Sequence, residues 1–350
     1  MPRCLPPDDA KFAFMRRRLP LMILGIASFL WRFGDAEPVR AADCAAKTGV
    51  SECLDANALW LTTGDSRFFS IPRGSVLPAG QVGLAVAAQA LWRPLRLTVP
   101  SANDSGRDVE LVKQAIEQDT LLAIGLGAHL EIGVALPVVL HQTGSGSEGI
   151  TSRSAAPLRS IAVRDPRITL SAGFGNASFA VKPEVTLALP FGDVDAYASA
   201  GRAVVAPALP FTLRHGRFEH ALALRARFAR SVEIGSVRMG SLASVALGTS
   251  FDILGRELLA LCAEGFVSQS LVESQSERAR AFSVTTRLLS AEYLISLRSR
   301  PSPDDAWTVA AGAGSALALA RESSPLGDES FVAPPGPALR VVAEVRYAPR

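Results

Sequence analysis

From about Gln81 onward the chain is written in stretches of about ten residues in which apolar side chains alternate with small or polar ones, the period that places two different sets on the two faces of a β-strand. Leu122, Ile124 and Leu126 alternate with Ala123 and Gly125. After Gly127-Ala128-His129 the pattern resumes, with Leu130, Ile132, Val134, Leu136 and Val138 set against Glu131, Gly133 and Ala135. About twelve segments fit this template: 81–92, 119–127, 130–141, 166–175, 178–190, 203–214, 217–229, 241–254, 257–268, 286–298, 306–316 and 338–348. Their connections alternate in length. Tight turns fall at Gly127-Ala128-His129, Gly175-Asn176-Ala177, His215-Gly216, Leu254-Gly255-Arg256 and Pro301 to Asp305, where Gly and Asn permit hairpin geometry. Long connections cover 93–118, 142–165, 191–202, 230–240, 269–285 and 317–337. Apolar-out alternation with short turns on one side and long loops on the other predicts an all-β, antiparallel transmembrane β-barrel of about twelve strands.

Segment 178–190 illustrates the two faces. Phe179, Val181, Pro183, Val185, Leu187 and Leu189 form one; Ala180, Lys182, Glu184, Thr186 and Ala188 form the other. Segment 338–348 sets Leu339, Val341, Ala343, Val345 and Tyr347 against Arg340, Val342, Glu344 and Arg346. A Lys or Arg facing lipid costs about 2–4 kcal/mol at the bilayer midplane, so the charged face is expected to point into the lumen. A soluble β-sandwich also alternates, but it turns its charged face to water and gives no reason for the short–long loop rhythm. Hydrophobic residues make up 48% of the chain. Beyond the leader no uninterrupted apolar run reaches the roughly 20 residues a spanning helix needs.

The N-terminus reads as an export signal. Arg16-Arg17-Arg18 is followed by the apolar stretch Leu19–Trp31, and Val39-Arg40-Ala41 supplies small residues at a cleavage site after Ala41. Met15 is a possible alternative start, and a retained membrane anchor is the alternative to cleavage. The expected organisation is a signal peptide over 1–41, an N-terminal periplasmic or plug segment over 42–80, and the barrel over 81–350. The formal charge of +3 arises in the leader, whose first 41 residues hold seven of the 36 Lys and Arg and four of the 33 Asp and Glu. The remainder is balanced, which argues against a nucleic-acid partner. Cys44 and Cys53 lie close together in an exported chain and are expected to form a local disulfide, with two free thiols the alternative. Cys262 reads as a small core residue. No cysteine or histidine spacing suggests a metal, and no motif calls for a cofactor.

By parity the lumen collects Glu131, Lys182, Glu184, Glu219, Arg225, Arg227, Glu264, Glu292, Arg340, Glu344 and Arg346. Two readings follow: an ion-pair network that fills and stiffens the barrel, or a polar pore whose charges tune selectivity. Gly83, Gly125, Gly133, Gly173, Gly248 and Gly312 point inward too. They leave room for a cavity, or else serve strand curvature. The histidines are His129, His141, His215 and His220; with no nucleophile motif beside them, an enzyme is not expected. The functions left open are a pore or transporter for small solutes and a structural or interaction barrel without transport. Outer-membrane lipid is the expected surroundings of either. Val109 to Gln118 reads either as a short helix in the first outer loop or, with Leu95, Leu97 and Val99, as part of a hairpin rising above the membrane.

Several stretches together resemble a known family: Leu54 to Trp60, Leu77-Pro78-Ala79-Gly80, Leu130 to Gln142, Val163 to Arg167, and Ala338 to Pro349. They are similar to the β-barrel module of Gram-negative outer-membrane proteins, a module often followed by an OmpA-like peptidoglycan-binding domain. The resemblance spans about 44–350 and implies an outer-membrane barrel. The chain ends just after the last predicted strand, so the anchoring domain is not expected in it.

Overall fold

The computed structural model describes residues 51–99, 107–146, 157–234, 237–255, 257–272, 274–275, 285–286, 289–302, 305–317 and 336–349. The signal-peptide region and Cys44 lie outside these residues.

Twelve antiparallel strands close into a barrel. They are β1 (Val82–Val99), β2 (Arg107–Gly125), β3 (Leu130–Thr143), β4 (Ala162–Val163, Arg167–Ala172 and Phe174–Gly175) and β5 (Phe179–Val181 and Glu184–Ala188). The remainder are β6 (Val204–His215), β7 (Phe218–Arg227), β8 (Leu242–Asp252), β9 (Leu259–Ser270), β10 (Leu289–Ser299), β11 (Trp307–Leu317) and β12 (Leu339–Tyr347). Each strand pairs with the next, and β12 returns to β1 through pairs from Leu84↔Tyr347 to Trp92↔Leu339. Closure leaves no strand edge to be satisfied in hydrocarbon. β4 and β5 are broken where Pro183, lacking a ladder donor, interrupts the pairing of β5; the Lys182 N–H still donates to the Pro210 carbonyl at 3.0 Å.

Turn chemistry sets the hairpins. Gly175, Gly216 and Gly255 take positive φ (126°, 57° and 72°) at three of the short connections. Aromatic rings mark this end on the outside: Phe174, Phe179, Phe218 and Trp307 are all exposed. Phe218 packs on Phe251 at 4.9 Å between centroids, and Trp307 on Tyr347 at 5.1 Å. A ring of exposed aromatics beside a belt of exposed Val, Leu and Ile is the surface of a barrel crossing a membrane–water boundary. The belt includes Val185, Leu187, Leu224, Leu247, Ile295, Val309 and Val345.

The first hairpin settles the choice between a loop helix and a raised strand pair. β1 and β2 run for 18 and 19 residues, well beyond the roughly 9–11 that cross a bilayer. A bulge between Trp92 and Leu95, with Arg93 at φ 52°, re-aims the upper part. Leu95, Val109, Leu111 and Val112 then bury against Tyr197 from the β5–β6 connection, with Leu54 packed alongside. That apolar cluster rewards continued pairing, so residues 93–99 and 107–118 are strand rather than loop.

Residues 51–80 have no strand or helix of their own. They run from the long-loop end, where Asp55 bridges Ala198, to the short-turn end, where the Gly80 N–H donates to the Gly125 carbonyl at 2.8 Å. Along this path their large apolar side chains meet small wall residues. Leu59, Leu61 and Phe69 pack on Ala85, Ala87 and Ala135. Phe68 and Ile71 pack on Ala221, Ala223, Ala246 and Ala260. Cys262 is a buried member of that second cluster, as a small core residue should be.

This packing explains the inward glycines. A Cβ on Gly125 would lie 2.2 Å from the Pro78 carbonyl oxygen, and one on Gly133 2.2 Å from Thr63 Oγ1. Gly248 faces Phe68 at 2.8 Å, Gly173 faces Val76 at 2.9 Å, and Gly83 faces Leu77 at 3.1 Å. The room these glycines leave is therefore taken by the N-terminal segment. Gly312 differs: its nearest neighbours are Ser296 and Ile295 on the adjacent strand, in line with a curvature role. Gly133→Ala should cost about 1–3 kcal/mol by overpacking. Thr63→Gly in the same chain should recover most of that loss. A double-mutant cycle in urea showing no coupling between the two positions would contradict the close approach.

Candidate functional site: the occupied lumen

Of the charged residues named from parity, Glu184, Arg225 and Arg227 are half-buried and the others buried, and most are held by the N-terminal segment. At the short-turn end Glu131 accepts from Lys182 Nζ at 3.1 Å and from the Leu77 N–H at 2.9 Å. Glu219 meets Arg67 Nε and Arg73 Nη2, each at 3.2 Å. Midway, Glu264 accepts from the backbone N–H groups of Phe69 (2.7 Å) and Ser70 (2.9 Å) and from Ser70 Oγ (2.7 Å). Arg225 donates to the Ser70 carbonyl. Glu344 takes Arg346 Nε at 2.9 Å and Arg298 Nη2 at 3.2 Å, while Arg346 also donates to the carbonyls of Thr62 (3.1 Å) and Gly64. Higher up, Arg340 pairs with Glu292 at 2.5 Å and donates to Gln89 and to Asn57 Oδ1. Arg227 donates to the Ala58 carbonyl at 2.9 Å. Glu184 is half-buried and, among the described residues, forms no ion pair.

Wall carboxylates and guanidiniums thus satisfy the backbone donors and acceptors of a segment that lacks secondary structure, which burial demands. A buried charge needs both a partner and further hydrogen bonds, and Glu131, Arg340 and Arg346 have both.

Other members were not named from parity. Arg67, buried, is the hub of the lower group: it reaches Asp252 at 2.8 Å, Glu257 at 2.6 Å, Ser250 at 3.0 Å and Glu219. Beside it Arg73 meets Asp65 at 2.7 Å. Burial pushes the Asp65 carboxyl up, but Arg73 and Arg346 together pull it below the ordinary aspartate range. The upper group centres on Arg164, which meets Asp55 at 2.5 Å, Glu117 at 2.7 Å and the Asn57 carbonyl at 2.8 Å. Asp119 joins Arg167 and Gln89, each at 2.9 Å. Inward parity along β2 carries Glu117 and Asp119, a usable signal; Arg67 and Asn57 sit in a stretch without periodicity and had none.

The segment does not fill the lumen. A cavity of about 160 Å³ remains beside it. Trp60 projects there with Arg227 stacked 3.9 Å from its ring centroid and Arg167 at 5.1 Å. Glu184, Arg225 and a row of Ser and Thr hydroxyls complete the wall.

The geometry defines a class: a twelve-stranded barrel of the outer-membrane type with its own N-terminal segment seated in the lumen. No protein-family model matches the chain, and no curated protein matches it. Among solved structures, an outer-membrane channel from Pseudomonas putida F1 superposes with a TM-score of 0.52 at 14% identity, covering 78% of this chain and 97% of that one. At that identity the likeness establishes the fold. A FadL homologue from Pseudomonas aeruginosa (TM-score 0.42, 8% identity, 78% and 93% covered) and the porin NanC (0.42, 8%, 77% and 99%) superpose more loosely.

Proposed function

We propose that this chain is an outer-membrane channel for small polar solutes, narrowed by its own residues 51–80. The observation that carries the reading is the cavity beside Trp60, left open next to the N-terminal segment, where Glu184, Arg225, Arg227 and Ser and Thr hydroxyls stand among apolar side chains. The likeness of fold to a bacterial outer-membrane channel supports it, as do the exposed apolar belt and aromatic ring, which suit a lipid surround. On this reading the chemistry is passage rather than catalysis. The same reading divides the chain into a cleaved leader over 1–41, a lumenal segment within 42–80 and the barrel over 81–350, and it keeps the kinship with barrel modules that often precede OmpA-like domains.

A second reading has a specific observation behind it. Glu131 and Glu264 of the wall accept from the backbone of the N-terminal segment, and Arg67 of the segment reaches Glu219, Asp252 and Glu257 of the barrel. A segment so held suits a static, sealed barrel that serves as a scaffold. Conductance in planar bilayers separates the two. The channel reading expects discrete, small steps in potassium chloride from protein that shows heat-modifiable gel mobility. Folded protein that never conducts would leave the sealed barrel.

Mass spectrometry of unreduced protein from the membrane fraction tests the N-terminal part of the proposal. The expected N-terminus is Ala42 or Asp43, and a peptide joining Cys44 to Cys53 should appear without reductant. A chain still starting at Met1 or Met15, or both thiols free, contradicts it.

A further inference from the structure

Resting on the channel reading, we propose that the cavity beside Trp60 is a binding subsite for small hydroxylated carboxylates, gripped by Arg225 and Arg227. The charges around it are unequal in their commitments. Asp55 and Glu292 are tied to Arg164 and Arg340, each at 2.5 Å, and Arg167 is tied to Asp119 at 2.9 Å. That leaves two guanidiniums, Arg225 and Arg227, facing one carboxylate, Glu184. Among the described residues none of the three lies within ion-pair distance of an opposite charge.

Both arginines are nonetheless anchored. Arg225 gives one N–H to the Ser70 carbonyl, and Arg227 gives one to the Ala58 carbonyl at 2.9 Å and stacks on Trp60. A guanidinium carries five N–H donors, so each retains donors for a guest while its position is fixed by the N-terminal segment. Preorganised guanidiniums take a carboxylate through two parallel hydrogen bonds. The hydroxyls of Ser244, Ser268 and Thr186 on the facing walls match a guest bearing its own hydroxyls. A neutral polyol satisfies the hydroxyls but leaves the guanidiniums without an anion. Carboxylate and hydroxyls together therefore define the ligand class.

Isothermal titration of the solubilised full chain with gluconate and with glucose tests this, with heat-modifiable mobility confirming the fold of each variant. Gluconate should bind saturably and at least about tenfold more tightly than glucose, the scale of one charge-assisted hydrogen bond. The Arg225→Gln, Arg227→Gln double variant should lose that preference. Arg227→Lys, which keeps the charge, should retain part of it, and Glu184→Gln, which removes the facing carboxylate without touching either anchor, should tighten gluconate several-fold. Equal binding of gluconate and glucose overturns the proposal. So does unchanged gluconate affinity in the double variant, or in Glu184→Gln should the double variant fail to fold. The titration does not depend on conduction. Saturable gluconate binding by a barrel silent in bilayers would remove the channel reading and leave the site, while a conducting barrel that ignores gluconate would do the reverse.

Discussion

Arg67→Ala should destabilise the barrel by about 3–5 kcal/mol, the cost of stranding buried charge when one partner of an ion pair is removed. Arg67 is buried, and its guanidinium lies within 3.2 Å of Glu219, Asp252 and Glu257. Without it Glu219 keeps Arg73, whose own partner is Asp65, while Asp252 loses both nitrogens that hold it. The charges it joins come from the N-terminal segment, β7, β8 and the β8–β9 turn, so its loss loosens the segment and the short-turn end of the wall together. The midpoint of urea unfolding in lipid vesicles measures the effect. Arg67→Lys should recover only part, because an ammonium cannot present a planar fork to several carboxylates. A loss below about 1 kcal/mol for Arg67→Ala, the ordinary worth of an exposed pair, would mean that the hub is solvated.

Val185→Arg should cost about 2–4 kcal/mol, the price of a guanidinium facing the middle of a bilayer. Val185 is 49% exposed on the outer face of β5, opposite Leu170 and Pro207 of the neighbouring strands. Its chain neighbour Glu184 points the other way, onto the cavity. Glu184→Gln should therefore leave the unfolding midpoint nearly unchanged while altering the ion selectivity of a conducting barrel. Equal tolerance of the two substitutions would mean that Val185 does not meet lipid, and the membrane-spanning assignment would fail with it.

The barrel was legible in the sequence because its determinants are local. Alternation along β3, β5 and β12 sorts the faces with no knowledge of what surrounds them, and Gly175, Gly216 and Gly255 mark turns by their own backbone freedom. The inward set from Glu131 to Arg346 followed from the same parity. The contents of the lumen were not legible, because the contacts that define them join distant parts of the chain: Asn57 meets Arg340 across 283 positions, and Phe69 meets Glu264 across 195. A segment such as 51–80, which makes its hydrogen bonds to the wall rather than to itself, leaves no periodic signature. The inward Gly and Ala residues were visible, but sequence alone could not tell space left open from space already taken. The upper part of β1 and β2 was ambiguous for another reason. Its bulges shift the register between Trp92 and Leu95 and between Leu95 and Arg96, which breaks the pattern that identifies a strand.

The central claim is that residues 51–80 lie seated inside a closed barrel, and tryptic cleavage mapped by mass spectrometry tests it most directly. In folded protein reconstituted into vesicles, the bonds after Arg67 and Arg73 should resist trypsin while the exposed Arg230, at the long-loop end, is cut; after heating to the unfolded form both should be cut. Cleavage after Arg67 in the folded, heat-modifiable form would contradict the claim, since a residue buried among Glu219, Asp252 and Glu257 cannot enter a protease active site.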